Sequence, residues 1–421
     1  MANRLLERLR SKDKKGLFTR TQTAVSYNTG FYPFDYRNGY MVEVRDLQDQ
    51  LVKTYPSTGI VGGSFVTIVG KAGTAKTTFA IQIASNIVRR FPNGFVQHYD
   101  LEQATTYTRI RNITGFKQSE LDEKYVLKQE KSYIQDILDS IMQIANDKKE
   151  HRDELMYDTG LVNEFNEPIM VFEPTVVLID SIPTLTSKPA KDNDIEMEGQ
   201  TYANRIAKDL SQFYKKLTPI IKTYNIIVIA INHINAKIEI SPMMKTQPQL
   251  IYMKMDESIP GGNAPIYYAH NLIKFVTCGK YTMDEHGFDG FKVRAELLKS
   301  RTNKAGQFCH LTYNQLVGFD PAYTQYEFAN EHGLIEGRNP YRYVTGYKDI
   351  KFDSRQFRKE FLENEKLRYA IFDKTYPILE KQLSRVDPNE TANVLSELEL
   401  VDRFIRSQEG EEFDEGDVIR L

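Results

Sequence analysis

The stretch Phe65-Val-Thr-Ile-Val-Gly-Lys-Ala-Gly-Thr-Ala-Lys-Thr-Thr78 constrains the fold more than any other in the 421 residues. Its apolar half, Phe65 to Val69, reads as a buried parallel strand. The residues that follow put Phe79, Ile83 and Ile87 at helical spacing. Strand, glycine-bearing loop and helix together form the context of a phosphate-binding loop. There, backbone N–H groups converge on phosphate oxygens and the helix N-terminus adds positive potential. Gly70, Lys71, Ala72, Gly73, Thr74, Ala75, Lys76, Thr77 and Thr78 are therefore candidate nucleotide contacts. Lys76 is spaced to reach terminal phosphates, and the Thr77 hydroxyl to hold magnesium. Ala75 stands where the pattern G-x-x-x-x-G-K-[ST] has its last glycine, so a methyl is expected to fit only if φ stays negative there. A lysine-bearing turn before an ordinary amphipathic helix is the plainer alternative.

The pattern then alternates. Phe95 to Asp100, Thr175 to Asp180 and Ile226 to Ile231 are apolar runs of strand length, and residues 132–148 and 198–218 carry apolar faces at helical spacing. Continuous apolar strands joined by helical crossovers predict an α/β fold, with a mostly parallel sheet covered by helices on both faces. Ligands of such sheets bind beyond the carboxyl ends of the strands. Two long segments, about 185–200 and 235–263, leave those ends. After residue 265 shorter strand signals, Leu272 to Thr277, Lys292 to Leu298 and Gln307 to Tyr313, predict an antiparallel extension. From about 321 the pattern is mostly helical, with an aromatic and basic stretch from Tyr341 to Tyr376.

Composition narrows the class. No apolar run reaches 18 residues, and the N-terminus lacks the apolar core of a signal peptide, so a cytoplasmic protein without membrane contact is expected. Two cysteines, Cys278 and Cys309, fit a reducing compartment, and no Cys/His grouping has metal-ligand spacing. The net charge of −2 conceals an asymmetry: residues 1–20 hold seven Lys/Arg against two acids, while 409–417 hold six acids and no base. That tail can be solubilising disorder, or it can compete with an anionic ligand for a basic surface. The aromatic segment Tyr27 to Tyr36 is too short to fold alone and must pack on its own core or on a neighbouring subunit.

Transfer of a phosphoryl group to water needs a carboxylate to organise magnesium, a group to position the water, and positive charge near the leaving group. Asp180 ends an apolar strand, as the magnesium-shell carboxylate of a phosphate-loop enzyme does; a helix-capping aspartate is the alternative. Glu102, in Tyr99-Asp-Leu-Glu102, can polarise water, and Asp100 could serve instead. His233 follows the fourth strand and precedes a long segment, which suits a group that senses the terminal phosphate. Lys299, Arg301 and Lys304 cluster at a strand end, either as a solvated turn or as cations that reach the phosphates of a nucleotide on an adjacent subunit.

Taken together, Gly70–Thr78, Tyr99-Asp-Leu-Glu102, Leu178-Ile-Asp-Ser181, Ile231-Asn-His233, Gly261-Gly-Asn263 and Glu296-Leu-Leu-Lys-Ser-Arg-Thr302 resemble the RecA/Rad51 recombinase family, most closely its phage UvsX-type branch. The likeness covers residues 60–320. It implies a RecA-like ATPase core at 41–320, an N-terminal arm for protomer packing at 1–40, a mostly helical C-terminal region at 321–407 and an acidic tail at 408–421. It also implies ATP and Mg2+ as cofactors, a helical filament of the chain on single-stranded DNA, and pairing with double-stranded DNA. A single-strand-binding protein and a loading mediator are further candidate partners. Within this likeness Tyr107 matches the adenine platform, and Lys299, Arg301 or Lys304 would act across the interface. The DNA contacts fall on Lys188 and Lys191 of the first loop and on Lys237, Lys245, Tyr252, Lys254, Gly261, Gly262 and Asn263 of the second. The chain departs from the pattern at Ala75 and His233, and in an acidic first loop with Asp192, Asp194, Glu196 and Glu198. A RecA-like accessory protein without strand exchange and a hexameric helicase are the alternatives.

Overall fold

The computed structural model describes residues 8, 11, 24–46, 50–188, 200–236 and 247–385, with side chains from Asn204 in the helix that opens at 200. All of these but Arg385 lie in one compact unit, Met1–Ser384. A nine-stranded sheet runs through it. In chain order its strands are β1 (Phe65–Gly70), β2 (Phe95–Asp100), β3 (Tyr125–Lys128), β4 (Thr175–Asp180), β5 (Ile226–His233), β6 (Asn271–Tyr281), β7 (Gly290–Ser300), β8 (Phe308–Asn314) and β9 (Gly318–Phe319). Their spatial order is β9-β8-β7-β6-β1-β5-β4-β2-β3. From β3 to β6 neighbours run parallel, and from β6 to β9 antiparallel. This is the mostly parallel sheet with an antiparallel extension that the apolar runs predict.

The helices used below are α1 (Tyr32–Arg37), α2 (Lys76–Val88), α3 (Tyr107–Thr114), α4 (Ile134–Glu150), α5 (Gln200–Thr223), α6 (Ala264–Tyr268), α7 (Pro321–Glu331), α8 (Phe357–Glu363) and α9 (Glu365–Glu380). Alternate residues of each central strand face opposite sides. Val66, Ile68, Leu178 and Ile229 meet Phe79, Ile83 and Ile87 of α2 on one side. Phe65, Val177, Ile179 and Val228 meet Ile137 and Ile141 of α4, with Leu210, Phe213 and Leu217 of α5, on the other. Burial on both faces explains why these strands read as unbroken apolar runs. No helix among the described residues is long and apolar enough to cross a membrane.

The N-terminal aromatic segment departs from the expected arm, and the C-terminal region carries a sheet beside its helices. The aromatic segment assigned to a protomer-packing arm is part of the chain's own core. Phe31 and Phe34 are each 1% exposed, with ring centroids 5.3 and 5.1 Å from Phe79. The rings fill the space over α2; residues 1–23 of the expected arm lie outside the described residues apart from Arg8 and Ser11. The C-terminal region is helical in α7, α8 and α9 but also holds a three-stranded antiparallel sheet, Ile335–Gly337, Tyr341–Val344 and Tyr347–Asp353. Phe352, Phe357, Tyr323 and Tyr326 form its core together with Tyr281 and Phe288 from the β6–β7 hairpin. Residues 386–421, and the acidic tail with them, lie outside the described residues.

Two further hairpins went unread in the sequence, Tyr40–Arg45 with Leu51–Ser57 and Met156–Val162 with Pro168–Phe172. They meet through the Tyr55 hydroxyl, which donates to the Val162 carbonyl at 2.6 Å.

Candidate nucleotide site

Strand β1 is buried at all six positions and delivers the chain to Gly70, where a Cβ would stand 2.8 Å from the Phe275 carbonyl oxygen of β6. The loop then turns through Gly73 at φ +76, with open space around its Cα, and enters α2. Ala75 has φ 60 and ψ 28, which overturns the expectation of a negative φ. Residue 75 is the N-cap of the helix that starts at Lys76 and makes a left-handed turn there; its methyl is accommodated beside the core that contains Phe79.

No side chain caps α2, so the first-turn N–H groups remain available to an anion. Lys76 is 7% exposed, and its Nζ donates to the carbonyls of Gly70 at 3.0 Å and Lys71 at 2.8 Å. Burial lowers its pKa, against the pull of Asp180 and Glu102. The Thr77 hydroxyl donates to Asp180 Oδ2 at 2.6 Å. Burial, with the charges of Glu102 and Asp100, pushes the Asp180 carboxyl up to about 7, although the Thr77 hydrogen bond and Lys76 oppose this. A hydroxyl and a carboxylate side by side are oxygen donors that suit magnesium, and the uncapped helix and open Gly73 turn suit a polyphosphate. The residues present therefore fit Mg2+ and a nucleotide.

The strand ends gather the other candidates. His233 lies opposite Gly70 in the β1–β5 register, and Asp180 opposite Asp100 in that of β2 and β4. Glu102 Oε1 accepts from the Ser181 hydroxyl at 2.7 Å and lies 3.5 Å from His233 Nε2. Asp100 is engaged elsewhere: its Oδ2 accepts from the Thr105 N–H and from Gln129 Nε2, each at 2.8 Å. Sequence reasoning missed Ser181 as a partner of Glu102, because 79 residues separate them in the chain. Tyr107 opens α3 half-exposed, and its hydroxyl accepts from the Leu127 N–H at 3.3 Å. No hydrogen bond among the described residues ties Tyr107 to the phosphate loop.

Lys299, Arg301 and Lys304 lie at the opposite end of the sheet. Ser300 pairs with Asn271, and Asn271 with Val66, whereas Gly70 pairs with Phe275 four residues along. Strand rise alone makes that separation about 13 Å. Lys299 Nζ donates to the carbonyls of Ile266 at 2.9 Å and Tyr267 at 2.7 Å, and Arg301 donates to Tyr267 at 2.9 Å. Burial and the adjacent Arg301 lower Lys299 to about 8.

No protein-family model matches the chain. It is 23% identical over 308 residues to the "Recombination and repair protein" of Enterobacteria phage T4, a match covering 73% of this chain and 64% of that protein. It is 24% identical over 243 residues to "Protein RecA" of Wolinella succinogenes, covering 58% of this chain and 56% of that one. With "Protein RecA" of Chlamydia pneumoniae it shares 23% identity over 339 residues, covering 79% and 81%. The chain is thus similar in sequence to RecA proteins and to the phage protein. In the first two pairs the match spans less than two thirds of the relative's own length.

The segments expected to meet DNA begin beside the site. In the first, Lys188 Nζ pairs with Asp136 of α4 at 2.5 Å, and Lys191 lies outside the described residues. In the second, Lys237 and Lys245 also lie outside them. Asn235–Ala236 pairs with Glu257–Ser258 and closes the base of the segment. Gly261 and Gly262, at φ +94 and +75, turn against Ile182, Leu210 and Ala207, where a Cβ would crowd in; Asn263 then starts α6. Asn232 Nδ2 holds the Pro260 carbonyl at 2.9 Å, so this turn is joined to the residue before His233. Lys254 is exposed, and so are Ile251 at 84% and Met255 at 64%. Tyr252 lies over Gly306, near Lys304, where a Cβ would meet its ring at 2.4 Å.

Proposed function

We propose that this chain is an ATP-dependent DNA recombinase: it forms a helical filament on single-stranded DNA and catalyses homologous pairing and strand exchange with DNA-dependent ATP hydrolysis. The observation that carries the reading is Glu102, held by Ser181 and facing His233, one strand end away from the Thr77–Asp180 pair. A carboxylate fixed there can orient a water for attack on a terminal phosphate. Lys76 would neutralise the phosphates, Thr77 and Asp180 would hold Mg2+, and that ion would supply charge stabilisation.

His233 contacts Glu102 and stands one residue from Asn232, which holds the second segment. A change at the phosphate side thus has a short mechanical route to exposed Ile251, Tyr252 and Met255, side chains able to stack on or wedge between bases. Lys299, Arg301 and Lys304 lie at the other end of the sheet from their own chain's phosphate loop, which favours action on a neighbour's nucleotide. DNA substrates would put the activity in the cytoplasm, that of the host if the chain is phage-encoded.

The test is strand exchange between homologous single- and double-stranded DNA. Exchange that requires ATP is expected. Unwinding without pairing would select a helicase, and DNA binding without either would select an accessory protein.

A further inference from the structure

Beside Thr77, Asp180 belongs to a cluster whose other two members, His98 and Asp100, the proposed reaction does not use. A ring nitrogen of His98 and a carboxylate oxygen from each of Asp100 and Asp180 all lie within 4.8 Å of one another. The sheet builds this grouping. His98 and Asp100 are two apart on β2 and share a face, and Asp100 pairs with Asp180 on β4. His98 and Asp100 are fully buried, and Asp180 is 3% exposed.

The hydrogen-bond inventory leaves ligand capacity unspent. His98 Nδ1 meets the Tyr125 hydroxyl at 2.9 Å, while Nε2 is buried without a partner. Asp100 Oδ2 has two donors, but Oδ1 has only a long contact, 3.4 Å, with the Ala104 N–H. Thr77 occupies Asp180 Oδ2 and leaves Oδ1. A buried imidazole nitrogen with no partner carries its full desolvation cost unless something fills the place. The local charge asks for a cation, since Asp180 feels both Asp100 and Glu102, with Lys76 the ammonium opposing them.

We propose that His98, Asp100 and Asp180 bind a second divalent cation of the Mn2+, Co2+ or Zn2+ class, next to the magnesium place at Thr77. The histidine sets the preference. Mg2+ takes oxygen ligands and dehydrates reluctantly, whereas these ions accept imidazole. The Tyr125 hydroxyl on Nδ1 orients the ring, as an outer partner of a ligating histidine does. Bonds of about 2.1 Å bring ligand atoms to roughly 3–4 Å from one another, and rotation of the two carboxylates closes that difference. The trio stands independently of the recombinase reading; only the sharing of Asp180 with magnesium rests on it.

The experiment is Mn2+ titration of the full chain without nucleotide, read by electron paramagnetic resonance with detection of directly bound 14N. One Mn2+ per chain is expected, with a histidine nitrogen signal that survives a tenfold excess of Mg2+. His98→Leu combined with Tyr125→Phe, which leaves no phenol unpaired, should lose the signal and weaken Mn2+ at least about tenfold. The parent spectrum stands by itself if the double variant does not fold. Mn2+ held through oxygen alone, displacement by equal Mg2+, a nitrogen signal that persists in a folded double variant, or no bound Mn2+ overturns the proposal. Absence of strand exchange with the nitrogen signal intact would overturn the recombinase reading and leave this site standing.

Discussion

The Ser181 hydroxyl donates to Glu102 Oε1 at 2.7 Å and so joins the residue after the β4 aspartate to the turn after β2. A hydrogen bond to a charged group is worth about 1.5–3 kcal/mol, or about ten- to hundredfold in a rate that depends on it. Ser181→Ala should therefore lower ATP turnover by about that factor and leave nucleotide affinity near the parent's, because Lys76 and Thr77 are untouched. Steady-state hydrolysis beside equilibrium binding of a fluorescent ATP analogue checks this. An equal loss of binding would make Ser181 a structural residue.

Lys76→Ala should abolish turnover, since the site's buried ammonium disappears. Mixing those chains with Lys299→Ala/Arg301→Ala chains tests where the distant cations act. If they serve a neighbour, a random equimolar assembly has one interface in four with both halves intact, so about a quarter of parental turnover should return. No recovery on mixing would confine them to their own chain.

Ala75 sits at φ 60 in a region that costs an L-residue about 1–2 kcal/mol. Glycine there removes the strain but returns about 0.4–1 kcal/mol of entropy to the unfolded chain. Ala75→Gly should thus stabilise the fold by up to about 1.5 kcal/mol, the reverse of the effect of glycine in a helix interior. Chemical denaturation gives the answer, and a lower midpoint would count against the left-handed turn.

Asp35 is fully buried and accepts from the Thr29 N–H and hydroxyl. Burial pushes its carboxyl up to about 7 from 3.8. Between those values the folded chain holds a proton that the unfolded chain has released, so stability falls as pH rises, by up to about 1.4 kcal/mol per unit, and levels off above 7. Asp35→Asn removes that slope. Its melting temperature should gain on the parent's from pH 5 to pH 7.5; a constant gap would show that Asp35 ionises freely in the fold.

The sheet and the phosphate loop were legible because strands buried on both faces must be apolar throughout, and β1, β4 and β5 are. Asp180 and His233 were legible as polar residues that end such runs. The hairpins at 40–57 and 156–172 were not, since strands with one wet side carry Lys53, Thr54 and Asp158 among their apolar residues and resemble loops. The C-terminal sheet hid in the same way behind Arg342, Lys348 and Lys351. The turn at Ala75 is a backbone property with no side-chain signature. His98 carries no signal in the sequence, because its partners on β4 and β3 are near only in space.

The distance between the phosphate loop and Lys299 has an arithmetic consequence under the proposed reading. Each chain carries a socket at one end of β1 and the matching plug at the other, and it cannot plug into itself. A row of n copies then completes n − 1 sites and always leaves one socket empty at an end. Turnover per chain would be nil for a monomer and half-maximal for a pair, and would approach its ceiling only in long rows. Catalysis would in that case report length, and a short assembly would be nearly silent however much ATP surrounds it.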